Sequence, residues 1–312
     1  MLPFTYKNAA IDNALAKTWD VLSRYASFGC SVSGGADSDV MLDLVHRLDE
    51  DKKVRYVWFN TGLEYEATKR HLAFLESKYG ITIERFAPAK SIPLAVHEYG
   101  QPFLSKFVSN KIAGLQKRGF DFSDMSYSDM LALCNGAKDT PDWWHNRHKV
   151  NQWNINYNKG LKEFLISHPP KFRISDKCCY YAKKRPSVMY MHSSNVEVQI
   201  IGVRKAEGGN RNVIKNCFTH NDRYGNIYRP LFWFTDDDKR YYENVFGVTH
   251  SACYEIYGLR RTGCVGCPYN LRLLDELRIV KMFEPNLYFA ASRLFGDSYE
   301  YTQCFREWKK NA

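Results

Sequence analysis

Ser33-Gly34-Gly35-Ala36-Asp37-Ser38 is the stretch that decides how this chain is read. It follows an apolar run, Phe28 to Val32, and precedes a segment of helical period, Asp39 to Leu48. That segment puts Val40, Met41, Leu44, Val45 and Leu48 on one face. A strand, a glycine-rich turn and a helix start are predicted in that order. Two adjacent glycines let the backbone turn sharply and bring its N–H groups close to an anion. The first turn of the helix adds unpaired N–H donors and the positive end of a dipole, so phosphate is the natural occupant. Ser33 and Ser38 supply hydroxyl donors, and Asp37 is expected to hold a magnesium ion against the phosphates. A plain Gly-Gly turn with a serine cap would use the same six residues. The strand–turn–helix setting is what favours phosphate.

The frame is neither a Walker loop nor GxGxxG, because no Lys-Ser/Thr follows and the glycines are adjacent. It resembles the SGGxDS pyrophosphate loop of the adenine nucleotide α-hydrolase superfamily, whose members cleave ATP between the α and β phosphates. Outward from the turn, residues 9–25 are predicted helical with Ala14, Leu15, Trp19 and Leu22 as the apolar stripe. Strands are expected at Val54 to Phe59, Ile81 to Phe86 and Val196 to Gly202, with a helix from about Glu64 to Tyr79. Alternation of this kind gives a parallel sheet with right-handed crossovers and ligands at the carboxyl ends of its strands. Asn60, Thr61 and Gly62 then share the pocket with the glycine turn, either as adenosine contacts or as a simple strand-to-helix turn. Thr235 is expected to cap a helix begun by Asp236, Asp237 and Asp238.

The expected fold is α/β, a Rossmann-like parallel sheet with helices on both faces, carrying a helical insertion and a Cys-rich C-terminal segment. Residues 1–104 form the first part of the nucleotide domain, 105–165 a basic and aromatic insertion, 166–270 the rest of the domain, and 271–312 a helical tail. At 312 residues with 45% hydrophobic content the chain suits a soluble globular protein with a sizeable core. No apolar run reaches membrane-spanning length and Met1 to Asp20 has no signal-peptide pattern, so no membrane association and a cytoplasmic location are expected.

The net charge of +10 is concentrated in residues 101–215, where 19 Lys and Arg face 9 Asp and Glu. That asymmetry points to an anionic partner, a phosphorylated small molecule or a nucleic acid. Trp143, Trp144 and Trp153 crowd the same region, either to stack bases beside basic side chains or as core and rim of the insertion. The second role is slightly favoured.

Nine cysteines argue for metal or redox chemistry rather than a disulfide framework. Cys178-Cys179 is followed, after 84 intervening residues, by Cys264-Val265-Gly266-Cys267. Four thiolates on two short segments suit zinc or an iron–sulfur cluster, and a CxxC pair also suits thiol–disulfide exchange. Adjacent cysteines converge poorly on one small tetrahedral ion, whereas a cubane offers separate iron corners. All three readings stay open on the residues alone.

CC followed by a distant CxxC, downstream of a pyrophosphate-type loop, resembles the phosphoadenosine phosphosulfate reductase family. Gly202-Val203-Arg204-Lys205-Ala206-Glu207 resembles its GxRxxE stretch, and Arg229-Pro230-Leu231 with Trp233 and Asp236–Asp238 its RPL segment. Gly258 to Pro268 resembles its GxxRxGCxxCP segment. The likeness covers roughly residues 20–270. It implies a 4Fe–4S cluster on Cys178, Cys179, Cys264 and Cys267, and an adenine nucleotide on Ser33, Gly34, Gly35, Asp37, Ser38, Asn60, Thr61, Gly62 and Arg204.

Two departures bear on activity. The late cysteine, Cys304, lies in Thr302-Gln303-Cys304-Phe305-Arg306, unlike the family's Glu-Cys-Gly-Leu/Ile-His. The phosphate turn, degenerate in many reductases, is intact here, although Asn60 stands where many members have Asp. Both departures favour relatives that activate a substrate with ATP and then transfer sulfur. The leading expectation is an ATP-cleaving, adenylylating sulfurtransferase that uses magnesium, Asp37 and Arg204, with Lys183 or Arg185 as further cations and a sulfur-donor protein as partner. The alternatives are a sulfonucleotide reductase, taking phosphoadenosine phosphosulfate or adenosine phosphosulfate with Cys304 as nucleophile, and a non-catalytic nucleic-acid-binding subunit.

Overall fold

A computed structural model describes residues 6–220 and 225–311. The start of the Met1 to Asp20 stretch, residues 1–5, lies outside the described residues. In chain order the main helices are α1 (Ala9–Arg24), α2 (Ala36–Leu48), α3 (Glu66–Tyr79), α4 (Ile92–Tyr99), α5 (Lys106–Lys117), α6 (Tyr127–Leu133) and α7 (Asp139–Trp144). They continue as α8 (Leu161–Ser167), α9 (Lys177–Cys179), α10 (Arg185–Ser193), α11 (Asp236–Phe246), α12 (Ala252–Glu255), α13 (Leu273–Phe283) and α14 (Pro285–Asn311). The strands are β1 (Phe28–Ser31), β2 (Val54–Phe59), β3 (Ile83–Phe86), β4 (Val198–Ile201), β5 (Phe218–Thr219) and β6 (Asn226–Tyr228).

The chain divides into two compact units, Met1–Ala89 with Ala182–Cys264, and Lys90–Tyr181 with Val265–Ala312. In the first unit the sheet runs β3-β2-β1-β4-β6-β5, parallel except for β5 against β6. Phe28 pairs with Val54 on one side and Val198 on the other, which makes β1 a central strand. Strand order reverses between β1 and β4, and ligands of such sheets sit outside the carboxyl ends of the strands at that point. This is the expected Rossmann-like α/β architecture.

Burial explains why these segments take these forms. Ile11, Leu15 and Leu22 of α1 and Val40, Met41, Leu44 and Val45 of α2 are buried against Phe28, Cys30, Trp58, Ile83 and Ile200 of the sheet. Asn8 caps α1 by accepting from the Ala10 and Ile11 N–H groups. One expected core residue is outside: Trp19 is 50% exposed, and its neighbour Thr18 takes the buried position. Thr18 Oγ1 lies 2.8 Å from the Tyr228 hydroxyl, so the interior face of α1 carries a satisfied polar contact where an indole was expected. Thr235 caps α11 as predicted, its hydroxyl accepting from the Asp238 N–H at 3.1 Å while Asp238 accepts from the Thr235 N–H at 2.9 Å.

The second unit is helical and differs in extent from the 105–165 insertion. It begins at Lys90 and takes in the chain to Tyr181 and the C-terminal helices. The cause is Gln101, which forms a parallel bridge with Ile174 through Gln101 N–H to Arg173 O (2.8 Å) and Ser175 N–H to Gln101 O (2.9 Å). Its side chain also donates to Asp297 and accepts from the Ser298 N–H, both at 2.9 Å, which ties α14 into the unit. Trp143 and Trp144 are fully buried in a core with Phe103, Ile112, Phe164 and Phe305, as expected of a helical insertion. Trp153 differs from them and is exposed. No helix among the described residues is long and apolar enough to cross a membrane.

Candidate functional site

The turn after β1 lies in the first unit and has the geometry an anion needs. Gly34 sits at φ +68°, a region that L side chains rarely adopt. A Cβ there would also stand 2.8 Å from Thr68 Cγ2, so glycine is required twice over. The Ser33 N–H donates to Ser38 Oγ at 2.8 Å and the Gly35 N–H to Ser33 Oγ at 3.3 Å. Both serine hydroxyls therefore hold the turn together before any ligand is considered. Gly35 precedes α2 in extended conformation with no side-chain cap, which leaves the first turn of that helix to other partners.

One such partner is Tyr254 on α12. Its hydroxyl accepts from the Thr262 N–H at 3.1 Å, lies 3.1 Å from Thr262 Oγ1 and interacts with the Ala36 N–H. Burial pushes this hydroxyl's pKa up. Thr262 belongs to the Gly258–Pro268 stretch whose motif marked it in sequence; Tyr254 carried no such signal.

A small cleft of about 160 Å³, partly open to solvent, begins at this turn. Ser33, Thr61, Glu64, Thr68, Lys183 and Thr262 give it polar lining, and Val32, Trp58 and Phe59 an apolar wall. The structure thus brings Ser33 and Thr61 to one cleft, as the strand ends implied. Asn60 has a different part, because its Oδ1 accepts from the Gly62 N–H at 2.9 Å and shapes the turn. Glu64 accepts from the N–H groups of Thr61 (3.0 Å) and Leu63 (3.2 Å) and from the Thr61 hydroxyl. It was not singled out in sequence, although it is the buried acid at this strand end. Thr61 Oγ1 also lies 3.7 Å from Cys264 Sγ. Lys183 lines the cleft, whereas Arg185 is an exposed residue opening α10.

Asp37 and Arg204 meet, but in a way the sequence did not specify. Arg204 Nε lies 3.0 Å and Lys239 Nζ 3.1 Å from the same Asp37 oxygen. Arg204 also reaches Asp236 at 2.8 Å, and it is 7% exposed. The expected partners of Asp37 and Arg204 were a magnesium ion and a phosphate; in this structure the carboxylate and guanidinium pair with each other. Gly202, at the end of β4, makes the pairing possible, since a Cβ there would meet Asp37 O at 3.0 Å.

The pair continues into a buried network that sequence reasoning missed. Lys239 reaches Glu243 at 3.4 Å, and His250 spans Glu243 (Nε2, 2.8 Å) and Asp39 (Nδ1, 2.9 Å). His71 Nε2 stands 3.0 Å from Asp39, which is fully buried on α2. Burial alone would lower the His250 pKa, but its hydrogen bonds to Asp39 and Glu243 outweigh that and push it up to about 9. Burial likewise opposes ionisation of Glu243, yet His250 and Lys239 hold its pKa below the ordinary value. An aspartate two residues after Asp37 was the available signal; its partner lies 211 residues away.

Among the described residues no cysteine is joined in a disulfide. Cys178, Cys179 and Cys267 belong to the second unit and Cys264 to the first. Burial pushes the Tyr269 hydroxyl's pKa up, with the thiols of Cys178 and Cys179 among the lesser causes, all within the second unit. Four cysteine sulfurs are a soft donor set appropriate to iron or zinc. Among the described residues, no group of three or more His, Cys, Asp and Glu side chains is arranged to hold a metal ion. Cys304 lies half-buried on α14 and packs against the aromatic core of the second unit.

Among curated proteins no sequence matches the chain significantly. Similar solved structures include phosphoadenylyl-sulfate reductase from Candida auris in a phosphate complex, at 11% identity and TM-score 0.44, covering 84% of this chain and 97% of that one. The NH3-dependent NAD synthetase of Campylobacter jejuni, with nitrate, is 10% identical at TM-score 0.36, covering 94% and 93%. The U34-tRNA thiolase NcsA of Methanococcus maripaludis, with its [4Fe-4S] cluster, is 12% identical at TM-score 0.39, covering 93% and 77%. Residues 28–119, from β1 through the glycine turn to the end of α5, match the family model described as the phosphoadenosine phosphosulfate reductase domain.

Proposed function

We propose that the chain is an enzyme that binds an adenine nucleotide in the cleft of the first unit, cleaves ATP between its α and β phosphates, and activates an acceptor for sulfur transfer. The observation that carries this reading is the turn itself: a glycine at φ +68° beside a helix start with no side-chain cap, at the carboxyl end of a central strand. Phosphate is the ligand such a turn favours, through main-chain N–H groups and the helix dipole. Lys183 supplies a positive charge at the cleft, and Arg204 acts through Asp37 by fixing the first turn of α2.

In the reaction, an acceptor oxygen attacks the α phosphorus, the bond to the bridging oxygen breaks, and pyrophosphate leaves with the electron pair. A sulfur nucleophile then displaces AMP from the adenylylated acceptor. N–H groups aimed at the leaving phosphates stabilise the charge that builds there. Magnesium accompanies the nucleotide as its counter-ion rather than residing on Asp37. Cys178, Cys179, Cys264 and Cys267 are proposed as ligands of a 4Fe–4S cluster, which when bound would supply soft Lewis-acid iron. The CC and CxxC motif supports that assignment.

The test is magnesium-dependent release of pyrophosphate from ATP, measured with candidate acceptors, beside direct ATP binding. Gly34→Val should abolish both. Absence of ATP binding by the intact protein would sink the proposal. Sulfite release from a sulfonucleotide, lost in Cys304→Ala, would establish the reductase instead, although the packing of Cys304 in a hydrophobic core disfavours it. Iron and sulfide measured on anaerobically purified protein test the cluster separately.

A further inference from the structure

One surface of the second unit is unused by this reading. Residues 143–162 contain four Lys and Arg and no Asp or Glu. Within them two 3-10 turns follow one another, Asn151–Trp153 and Ile155–Tyr157. Trp143 and Trp144 are buried, yet Trp153 is 39% and Tyr157 60% exposed. Large aromatics left outside in a chain that buries its other tryptophans nearby need a reason.

The segment is held rigid by its own amides. The buried Asn154 side chain accepts from the His148 N–H at 2.9 Å and donates to the His148 carbonyl at 3.0 Å. Asn146 Oδ1 accepts from the Asn156 N–H at 3.0 Å, closing the loop a second time. Ile155, fully buried, anchors the second turn in the core. Phe107 meets Trp153 edge-on at 5.2 Å between centroids and braces its ring. Aromatic faces that are fixed before binding lose little freedom when a planar ligand stacks on them.

Charge adds a direction. Nearby acids are already engaged: Asp124 by Lys162 at 2.9 Å, Asp142 by the Tyr127 hydroxyl at 2.8 Å, and Asp139 by Lys111. Lys149 and Lys159 are exposed, and Arg147 lies exposed over the Tyr127 ring at 3.5 Å. Asn151, Gln152 and Asn156 are exposed between the aromatics. Those amides suit base edges and would be costly to sink into lipid.

We propose that residues 146–159 form a docking surface for single-stranded nucleic acid, with bases stacked on Trp153 and Tyr157 and phosphates met by Arg147, Lys149 and Lys159. Stacking platforms beside cations are how unpaired strands are held without sequence readout. The surface belongs to the second unit and the nucleotide cleft to the first, so ATP is left out of its test.

The experiment is fluorescence anisotropy of labelled oligothymidylate and oligouridylate titrated with the full chain at stepped salt. Trp153→Ala with Tyr157→Ala should weaken binding roughly ten-fold or more. Lys149→Ala with Lys159→Ala should flatten the salt dependence, by about 0.7 in the log–log slope for each phosphate that is no longer neutralised. Trp153→Leu with Tyr157→Leu, which keeps apolar bodies without aromatic faces, should show the same loss and guards against unfolding of the alanine pair. The proposal is overturned if neither oligonucleotide binds, or if the aromatic variants bind as the parent does. It is equally overturned if duplex DNA, phosphatidylserine vesicles or an acidic peptide binds this surface as tightly as the single strands.

Discussion

Replacing His250 by glutamine tests the network beneath the phosphate turn. The imidazole joins Asp39 on α2 to Glu243 on α11, and both contacts are strongest when it is protonated. Its pKa, near 6.5 in an unfolded chain, is pushed up to about 9 in the fold, with its side chain 12% exposed. A rise of that size corresponds to about 3 kcal/mol of stabilisation, less whatever solvent screening removes. The sign follows from the raised value: the contribution is complete below pH 6.5 and is lost as the pH climbs through 9. Urea unfolding of the parent should therefore show stability falling by roughly 2–3 kcal/mol between pH 6.5 and 10 beyond any change in His250→Gln. Circular dichroism and tyrosine fluorescence would follow the transition. Parallel pH profiles for parent and variant would refute the reasoning, because His250 would then be neutral or unpaired in the fold. A variant equal to the parent at pH 6 would refute it as well.

Gly34→Ala should cost about 1–3 kcal/mol of stability, since it forces an L side chain to positive φ against Thr68; ATP affinity, read by calorimetry, should fall with it. Gly202→Ala should lower ATP affinity and stability together, by roughly 1–3 kcal/mol in unfolding, because the new methyl presses on the Asp37 carbonyl. Glu64→Gln replaces one accepting oxygen by a donor among three groups that donate to it, and should cost about 1–3 kcal/mol in chemical denaturation. Gln101→Ala should loosen the hold on α14 through Asp297 and Ser298, seen as faster amide exchange around Ser298 while the Ser33–Ser38 turn stays protected.

What the sequence revealed and what it hid divide by distance along the chain. The β1–turn–α2 unit, the later strands and the Thr235 cap were legible because each depends on neighbours a few residues away. Trp19 was misjudged because a helical stripe fixes which side faces inward but not its edge, and Thr18 fills the edge position with a hydroxyl contact to Tyr228. The reach of the second compact unit beyond the expected 105–165 insertion was not legible, because Gln101 and Ile174 pair across a long stretch with no periodic signal.

The partners of Asp37 were hidden for the same reason, and they change how the site works. Among the groups joined through it, Asp37, Asp39, Asp236 and Glu243 are four acids, facing the four bases Arg204, Lys239, His250 and His71. With acids and bases in equal number, the network offers a phosphate little net side-chain attraction. The attraction is left to the main-chain N–H groups of the turn, the dipole of α2, and Lys183 on the cleft wall. On the proposed function the network's work is mechanical: it pins the first turn of α2 to α11 and to the end of β4, so that the amides would be aimed before a nucleotide arrives. In the proposed function the glycine turn, legible from six residues, would supply the binding, and the unreadable long-range ion pairs its rigidity.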